Sequence, residues 1–528
     1  MAAAMQRPAR SDWIPPAGWF LLAVGVWLAF LAWVRPLTLP DEGRYAGVAW
    51  DMLRSGSHAV PLLDGMPYFH KPPLYYWLTE LSFTVFGVHP WAARLPSLLA
   101  AWAAAAALYG FLRRHRDAAT ATLTVLALAT LPFFYGGAQF ANLDMLVAGM
   151  ITLCVLAAAD TVLRLERGQA YRWMSLAAAA LAALAVLAKG LIGLVLPGAI
   201  LFIWLVWGAA GARSGAVVAA RAAGVRGGRR AVVRPDAGPL SGLLRLFLRL
   251  PAFSALRRHR FQQRPAVLVL PAGGGGTEPA LVAVGRRHPA QGVLGGGPQR
   301  DLRRLALVWF VVVVGFFSLP NSKLVGYVLP AVPPLAFLLV EVIVAASRDK
   351  ADSLAPRLVR VCAGVGAAIC VLAIGIAAHS ARGSAGPLAA TIRPLAKPGD
   401  TYVSLHTYPF DLALYAQAPR PTWVVDDWLN PEVPVRDNWR KELYDAARFE
   451  PEVGRQVLIS PQEFQSRLCA APEGARYWVW GTRSDAGAYR ALAGLEPVAN
   501  SVKYVIWQVV SDAAFKQRVC GGTPTAGS

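Results

Sequence analysis

Charge is scarce in this chain. Only 16% of its 528 residues are charged, 55% are hydrophobic, and the mean hydropathy is +0.42. A soluble domain carries roughly a quarter charged residues, so a purely soluble protein is excluded. Cysteine is scarce too: there are five, with no Cys-x-x-Cys pair and no Cys/His zinc spacing. That excludes a disulfide scaffold, a zinc ribbon and a thioredoxin-like redox site. Acids are outnumbered, 31 against 52 basic residues, for a net charge of +21. The excess does not mark a nucleic-acid binder. Residues 209–302 alone hold fifteen Arg, no Lys and three acids, and no basic face is interleaved with aromatics. A small-residue cleavage site is missing after the first apolar run, which therefore reads as a span and not a removed signal.

What is abundant is long apolar sequence. Crossing a bilayer takes about 20 apolar residues. Runs of that kind fall at about 17–34, 93–112, 118–136, 142–163, 172–188, 190–208, 303–319, 324–346 and 357–378. Residues 74–88, LYYWLTELSFTVFGV, are short and aromatic, which suits a re-entrant or interfacial helix. The fold class expected is an α-helical polytopic membrane protein. Basic clusters at Arg7 and Arg10, 113–117, 164–172 and 347–357 fall on one side, the inside. The loop from Arg35 to about Pro73 and everything after about 380 then face outward.

Two domains are expected: a membrane domain over 1–380 and an outer domain over 395–528. In the second, β-like runs (TYVSL, RQVLIS, ARYWVWG, VKYVIWQVV) alternate with helix-like pieces (PFDLALYAQ, DAGAYRALAGL), which reads as a compact α/β domain. If its compartment is oxidising, Cys469 and Cys520 could pair; two buried free thiols is an equal reading.

The first outer loop concentrates chemistry: RPLTLPDEGRYAGVAWDMLRSGSHAVPLLDGMPYFHKPPLYYW. Asp41 and Glu42 sit just past the first span, followed by Arg44 and Tyr45. Tyr68, His70 and Lys71 close the loop before two prolines that fix the start of the next helix. Acids facing basic and aromatic groups at a membrane edge suit a lipid-phosphate substrate. Lys would neutralise phosphate oxygens, and Asp would take a proton from an acceptor or hold a divalent cation together with Glu42. No motif demands a cofactor. Asp144 (FANLDMLVAG), Lys189 (LAVLAKGLIGL), and Lys323 with Tyr327 (LPNSKLVGYVLPAVPP) lie at the same outer boundary in the span reading. Ionisable residues at such positions are usually functional or paired.

Together LPDEGRYA, YFHKPPLYYW, NLDM, AKG and SKLVGYVLPAVPP resemble the ArnT-type glycosyltransferases, relatives of the protein O-mannosyltransferases in glycosyltransferase family 39, with a GT-C fold. The resemblance covers residues 15–208 and 303–380 in motif detail. It implies a bacterial inner-membrane enzyme with its active site and C-terminal domain in the periplasm. The donor would be an undecaprenyl-phosphate-linked sugar and the acceptor lipid A or another envelope glycan or lipid, with no nucleic acid involved. Asp41 resembles the catalytic carboxylate, and Asp144 a second acidic position. Arg44, Tyr45, Tyr68, Lys71, Lys189 and Tyr327 resemble residues around the donor phosphate and cavity. The chain departs from the pattern at His70, where the family has Glu. A protein O-mannosyltransferase is the neighbouring alternative. A transporter would show internal repeats or helices broken at mid-membrane, and neither is present in the sequence.

The stretch from about 210 to 300 does not fit. It is rich in Arg, Gly and Ala without helical or strand period, as in a GC-rich gene read out of frame. Codons for Arg249 to Ala272, started one base later, are compatible with VYQHFPRFAGTGFNNARPFWFYLP, the outer loop that the family has and this chain lacks. A frameshift starting near 210 and reversed near 300 accounts for it. If the written segment is the natural one, a catalytically dead homologue is expected.

Overall fold

A computed structural model describes residues 13–209, 299–319, 324–347, 354–379, 384–501 and 503–521. The out-of-frame reading of 210–300 falls almost wholly outside the described residues, and so does Lys323. The described chain forms two compact units, Met1–Leu31 with Ser97–Ile374, and Ala32–Pro96 with Gly375–Ser528.

The first unit is helical. Among the described residues five helices are long and apolar enough to cross a membrane: Pro90–His115, Leu143–Glu166, Arg172–Lys189, Val325–Ala346 and Leu354–His379. A sixth span is broken. Ala118–Thr130 and Pro132–Ala138 meet at 70°, because Pro132 has no N–H to continue the ladder. Ala17–Ala29 is shorter than the apolar run at 17–34 suggested, while Ile192–Ala209 and Arg300–Ser318 lie close to their expected bounds. Small residues let these helices approach closely, as expected where lipid offers no hydrophobic drive between helices. A Cβ at Gly149 would strike the Ala100 backbone, and one at Gly193 the backbone of Ala185. Two of the basic clusters read as inside, 113–117 and 164–172, are tied to buried acids, as is Arg303. Asp160 meets His115 at 2.6 Å and Arg164 at 2.7 Å, and Glu341 meets Arg116 at 2.9 Å and Arg303 at 2.7 Å.

The second unit joins the first loop to the C-terminal α/β region, so the sequence division at about 380–395 is not the division seen. Helix Asp41–Ser55 ends at Gly56, whose φ of +70° is readily reached without a Cβ. It lies so close to the 410–411 backbone that a Cβ at Gly47 would overlap the Phe410 carbonyl. A two-stranded hairpin, β1 (Leu62–Leu63) and β2 (Met66–Pro67), leads to helix Leu74–Phe86. The C-terminal sheet contains β3 (Thr401–Leu405), β4 (Trp423–Val425), β5 (Leu458–Ile459), β6 (Ala475–Thr482), β7 (Ala499–Asn500) and β8 (Tyr504–Ser511), in the order β5-β4-β3-β6-β8-β7. β3 to β6 are mutually parallel, and β8 runs antiparallel to β6 and β7.

Alternation along β6 explains both sheet faces. Tyr477 and Val479 join Leu405, Val425, Phe464 and Trp507 in one core. Trp478 and Trp480 turn to the other, against helices Gly386–Ile392 and Leu412–Ala416. Two expectations shorten. RQVLIS is mostly the end of helix Pro451–Val457, with only Leu458–Ile459 as strand, and DAGAYRALAGL is helical only over Asp485–Ala488. Cys469 and Cys520, on helices Pro461–Ala470 and Ala513–Cys520, are joined as a disulfide.

Candidate active site

The expected site residues fall into two groups, one in each unit. In the second unit Asp41 opens helix Asp41–Ser55, where the helix dipole favours a carboxylate. Its side chain is 46% exposed, with Oδ1 2.6 Å from Arg44 Nη2. The other guanidinium nitrogen, Nη1, pairs with Glu442. Glu442 also accepts a 2.8 Å hydrogen bond from the Tyr68 hydroxyl. Arg44 lies over the Tyr45 ring at 5.5 Å, and Tyr45 is packed against Tyr75 and Tyr76. Burial works to neutralise Arg44. Glu442, Tyr45, Tyr68 and Asp41 outweigh it and hold the guanidinium more firmly protonated than usual. Burial, together with Tyr76 and Glu442, pushes Tyr68 well above the ordinary phenol range, so it remains a donor.

His70 stacks on Tyr68, with ring centroids 4.9 Å apart and planes 10° from parallel. Its Nε2 is 3.5 Å from Asp445 Oδ2, which also holds Lys441 at 2.6 Å. Burial lowers the His70 pKa against the pull of Glu442 and Asp445, so the ring is neutral at pH 7. Lys71 follows, half-buried, just ahead of the Pro72-Pro73 pair that starts helix Leu74–Phe86.

Glu42 is corrected. It does not stand beside Asp41 as a catalytic or cation-binding partner. It is fully buried, and its oxygens are taken by Arg35, by Arg94 Nε at 2.9 Å and by the Thr38 N–H at 2.9 Å. Burial would raise its pKa, but Arg94 and Arg35 bring it down to about 2. Arg94 also donates to the carbonyls of Ala32, Arg35 and Pro36. The triad therefore shapes the chain's turn into the helix that bears Asp41. Among the described residues no cluster of three or more His, Cys, Asp or Glu could hold a metal ion.

In the first unit, Asp144 lies in the first turn of helix Leu143–Glu166, behind the Asn142 N-cap, whose Oδ1 accepts from the Asp144 N–H at 3.0 Å. Lys189 ends helix Arg172–Lys189 and pairs with Asp144. Its ammonium sits 4.1 Å from the centre of the Tyr327 ring, a cation–π geometry. Gly326, beside Tyr327, is needed there, because a Cβ would overlap the Asp144 carboxylate. Asp144, Lys189 and Tyr327 thus form one cluster from three segments.

Glu442 and Asp445 were not anticipated. Both lie on helix Trp439–Ala447, capped by Asn438, and their spacing of three puts them on one face. NWRKELYDAA reads as an ordinary amphipathic surface helix, and that spacing is the only local signal.

Comparison with known proteins follows the same lines. The family profile described as "Dolichyl-phosphate-mannose-protein mannosyltransferase" matches residues 70–223. An undecaprenyl phosphate-alpha-4-amino-4-deoxy-L-arabinose arabinosyl transferase of Erwinia tasmaniensis is 28% identical over 374 residues, covering 65% of this chain and 62% of the relative. The protein of the same name from Shewanella sediminis is 29% identical over 349 residues, covering 61% and 58%. The chain therefore spans about three fifths of the length of these curated relatives. The crystal structure of ArnT from Cupriavidus metallidurans bound to undecaprenyl phosphate superposes with a TM-score of 0.66 at 20% identity, over 95% of this chain and 99% of that one. The fold is thus that of a multi-pass membrane protein of the GT-C class. Within that class the chain is similar in sequence to the two aminoarabinose transferases above.

Proposed function

We propose that this protein is a membrane glycosyltransferase that moves a sugar from a polyprenyl-phosphate donor to lipid A or another envelope acceptor, on the periplasmic face of a bacterial inner membrane. The observation that carries the reading is the Asp41–Arg44–Glu442–Tyr68 cluster. An exposed carboxylate stands beside a guanidinium locked in the charged state, and Lys71 follows His70 in the same loop. The names of the relatives support an undecaprenyl-phosphate-linked aminoarabinose as donor, and the residues themselves do not select the sugar.

In the reaction an acceptor oxygen attacks the anomeric carbon, the new C–O bond forms, and the bond to the polyprenyl phosphate breaks. The electron pair leaves with the phosphate, and Arg44 and Lys71 stabilise the charge that develops there. A hydroxyl acceptor gives its proton to Asp41. A phosphate acceptor attacks through an oxygen that is already anionic and needs no base from Asp41. In the first unit the Lys189–Asp144 pair carries the motif that resembles the family's donor-phosphate residues. Glu42 offers no ligand to a divalent cation at Asp41, because its oxygens are occupied by Arg35, Arg94 and Thr38.

The test is transfer by the purified protein in lipid nanodiscs. Undecaprenyl-phosphate aminoarabinose with lipid A forms one arm, and polyprenyl-phosphate mannose with a Ser/Thr peptide the other, with products read by mass spectrometry. Product in the first arm, lost in Asp41→Asn, supports the reading. Product only in the second makes it a protein mannosyltransferase, the alternative that the family profile favours. A folded protein that turns over neither donor ends the proposal.

A further inference from the structure

The C-terminal sheet has an arrangement that the transfer cluster does not use. From β3 the chain moves to β4 and β5 on one side, then returns to place β6 on the other side of β3. In open α/β sheets, ligands bind outside the carboxyl ends of the strands at such a reversal. Here those ends carry polar and planar groups. His406 follows β3 directly and holds φ at +51°, uncommon for a residue with a Cβ. Asp426 follows β4, is 2% exposed on its side chain, and lies 3.3 Å from His406 Nδ1. The Tyr489 hydroxyl is 2.8 Å from His406 Nε2. Both ring nitrogens are engaged, so the imidazole is fixed, and 41% of it remains exposed.

Arg440 binds Asp426 through Nε at 2.7 Å and Nη2 at 3.0 Å, with 31% of its side chain exposed. Trp428 and Trp439 meet edge to face, centroids 6.1 Å apart, and Arg440 lies over Trp439 at 5.5 Å. At the end of β6 the hydroxyls of Thr482 and Ser484 are 2.7 Å apart. Asp426 offsets the charge of Arg440, so this is not a site for a bare anion. Half-exposed planes beside fixed hydrogen-bonding groups suit a hydroxyl-rich ring. The same short helix serves both places. Arg440 faces Asp426, while Glu442, two residues and about 3 Å of helix rise onward, binds Arg44 and Tyr68.

We propose that the crevice formed by His406, Asp426, Trp428, Trp439 and Arg440 binds the saccharide head of the glycolipid acceptor. This rests on the glycosyltransferase reading and adds the acceptor's place to it.

Two variants of the full chain test it. His406→Gly keeps the left-handed backbone and removes the imidazole, and Arg440→Gln removes the charge. Arg436→Gln, on an exposed side chain, is the control. In the transfer assay both variants raise the KM for lipid A about tenfold, with kcat and the donor KM unchanged. An unmoved acceptor KM, or a donor KM and kcat that shift together, overturns the proposal. Saturation-transfer NMR with the soluble phosphorylated glucosamine disaccharide, on the full chain in nanodiscs, separates the two ideas. Contacts seen with the native chain and lost in both variants support the crevice even where no transfer occurs, and then it is the transferase reading that fails. Absent contacts, or contacts that survive both substitutions, overturn the crevice even where transfer is robust.

Discussion

The Tyr68 hydroxyl donates to Glu442 at 2.8 Å although 374 residues separate them. The second oxygen of the same carboxylate holds Arg44, so one side chain of the C-terminal region fixes two groups of the first loop. Glu442→Gln keeps a partner for Tyr68 and gives up the ion pair. Removing one member of a buried charged pair costs about 3–5 kcal/mol when the other stays buried; Arg44 keeps Asp41, so the lower end applies. The expected result is a roughly hundredfold fall in kcat/KM with a modest loss of thermal stability, measured by product formation and a thermal-shift scan. Wild-type kcat/KM in Glu442→Gln would remove Glu442 from the site.

Asp41 and Glu42 are neighbours with opposite expectations. Asp41→Asn breaks a half-exposed pair worth about 0–1 kcal/mol, so the protein folds and transfer is lost. Glu42→Gln leaves Arg35 and Arg94 without a counter-charge in a buried site and costs about 3–5 kcal/mol. Its signature is low yield and a depressed unfolding temperature. Expression and thermal transitions measured side by side distinguish the two. Equal stability for both variants would contradict the buried triad.

Asp64 sets a pH dependence. It is buried on the hairpin between β1 and β2, Oδ1 accepts from the Thr422 N–H at 2.7 Å, and burial with nearby Asp51 pushes its pKa up to about 8. The unfolded carboxyl titrates near 4. Between about 4 and 8 the folded chain keeps a proton that the unfolded chain has released. Stability therefore falls with rising pH in that window, by about 1.4 kcal/mol per unit from this group. Asp64→Asn keeps the acceptor, tolerates the φ of +54° and removes the titration. Chemical denaturation at pH 5 and pH 8 should show a flatter profile and a gain at pH 8. A slope identical to wild type would refute this account.

Lys189 and Asp144 offer a matched test in the first unit. Lys189→Met leaves Asp144 without its ammonium partner and removes the cation over Tyr327. If Lys189 serves the donor phosphate, as its motif implies, transfer falls by at least about tenfold, mostly through kcat. A change confined to KM would assign Lys189 to ground-state binding of the donor.

The disulfide closes a separation of 51 residues. By loop-closure entropy, opening it costs about 4 kcal/mol. Cys469→Ser with Cys520→Ser should lower the unfolding temperature without changing donor KM. A gel shift between reduced and oxidised native protein checks the pairing itself.

Much of this was legible locally. Apolar run length announced the spans, and Pro72-Pro73 announced the start of helix Leu74–Phe86, because both signals act over a few residues. Alternation located β3, β6 and β8 for the same reason. The bend at Pro132 was missed, since hydropathy averages over a break that one absent N–H creates. The roles of Glu42 and Glu442 could not be read locally. An exposed carboxylate and a clamped one look alike in sequence, and only the approach of Arg94, or of Arg44 and Tyr68 from far along the chain, tells them apart. The stretch at 210–300 calls for a contiguous DNA read across its codons. Recovery of GFNN and PFWFY in the shifted frame would restore the loop, and their absence would end the frameshift explanation.

The second unit is built from two stretches of chain, Ala32–Pro96 and Gly375–Ser528, with the helical unit between them. A ribosome adds about 5–20 residues per second. The loop that carries Asp41 therefore waits on the order of 14–56 seconds before the first of its partners is even synthesised. During that interval Arg44 and Tyr68 have no Glu442, and the hairpin has no Thr422. Under the proposed function the nascent chain is inert until its last quarter emerges, and a chain halted after the final span would carry the motifs of the site without the site.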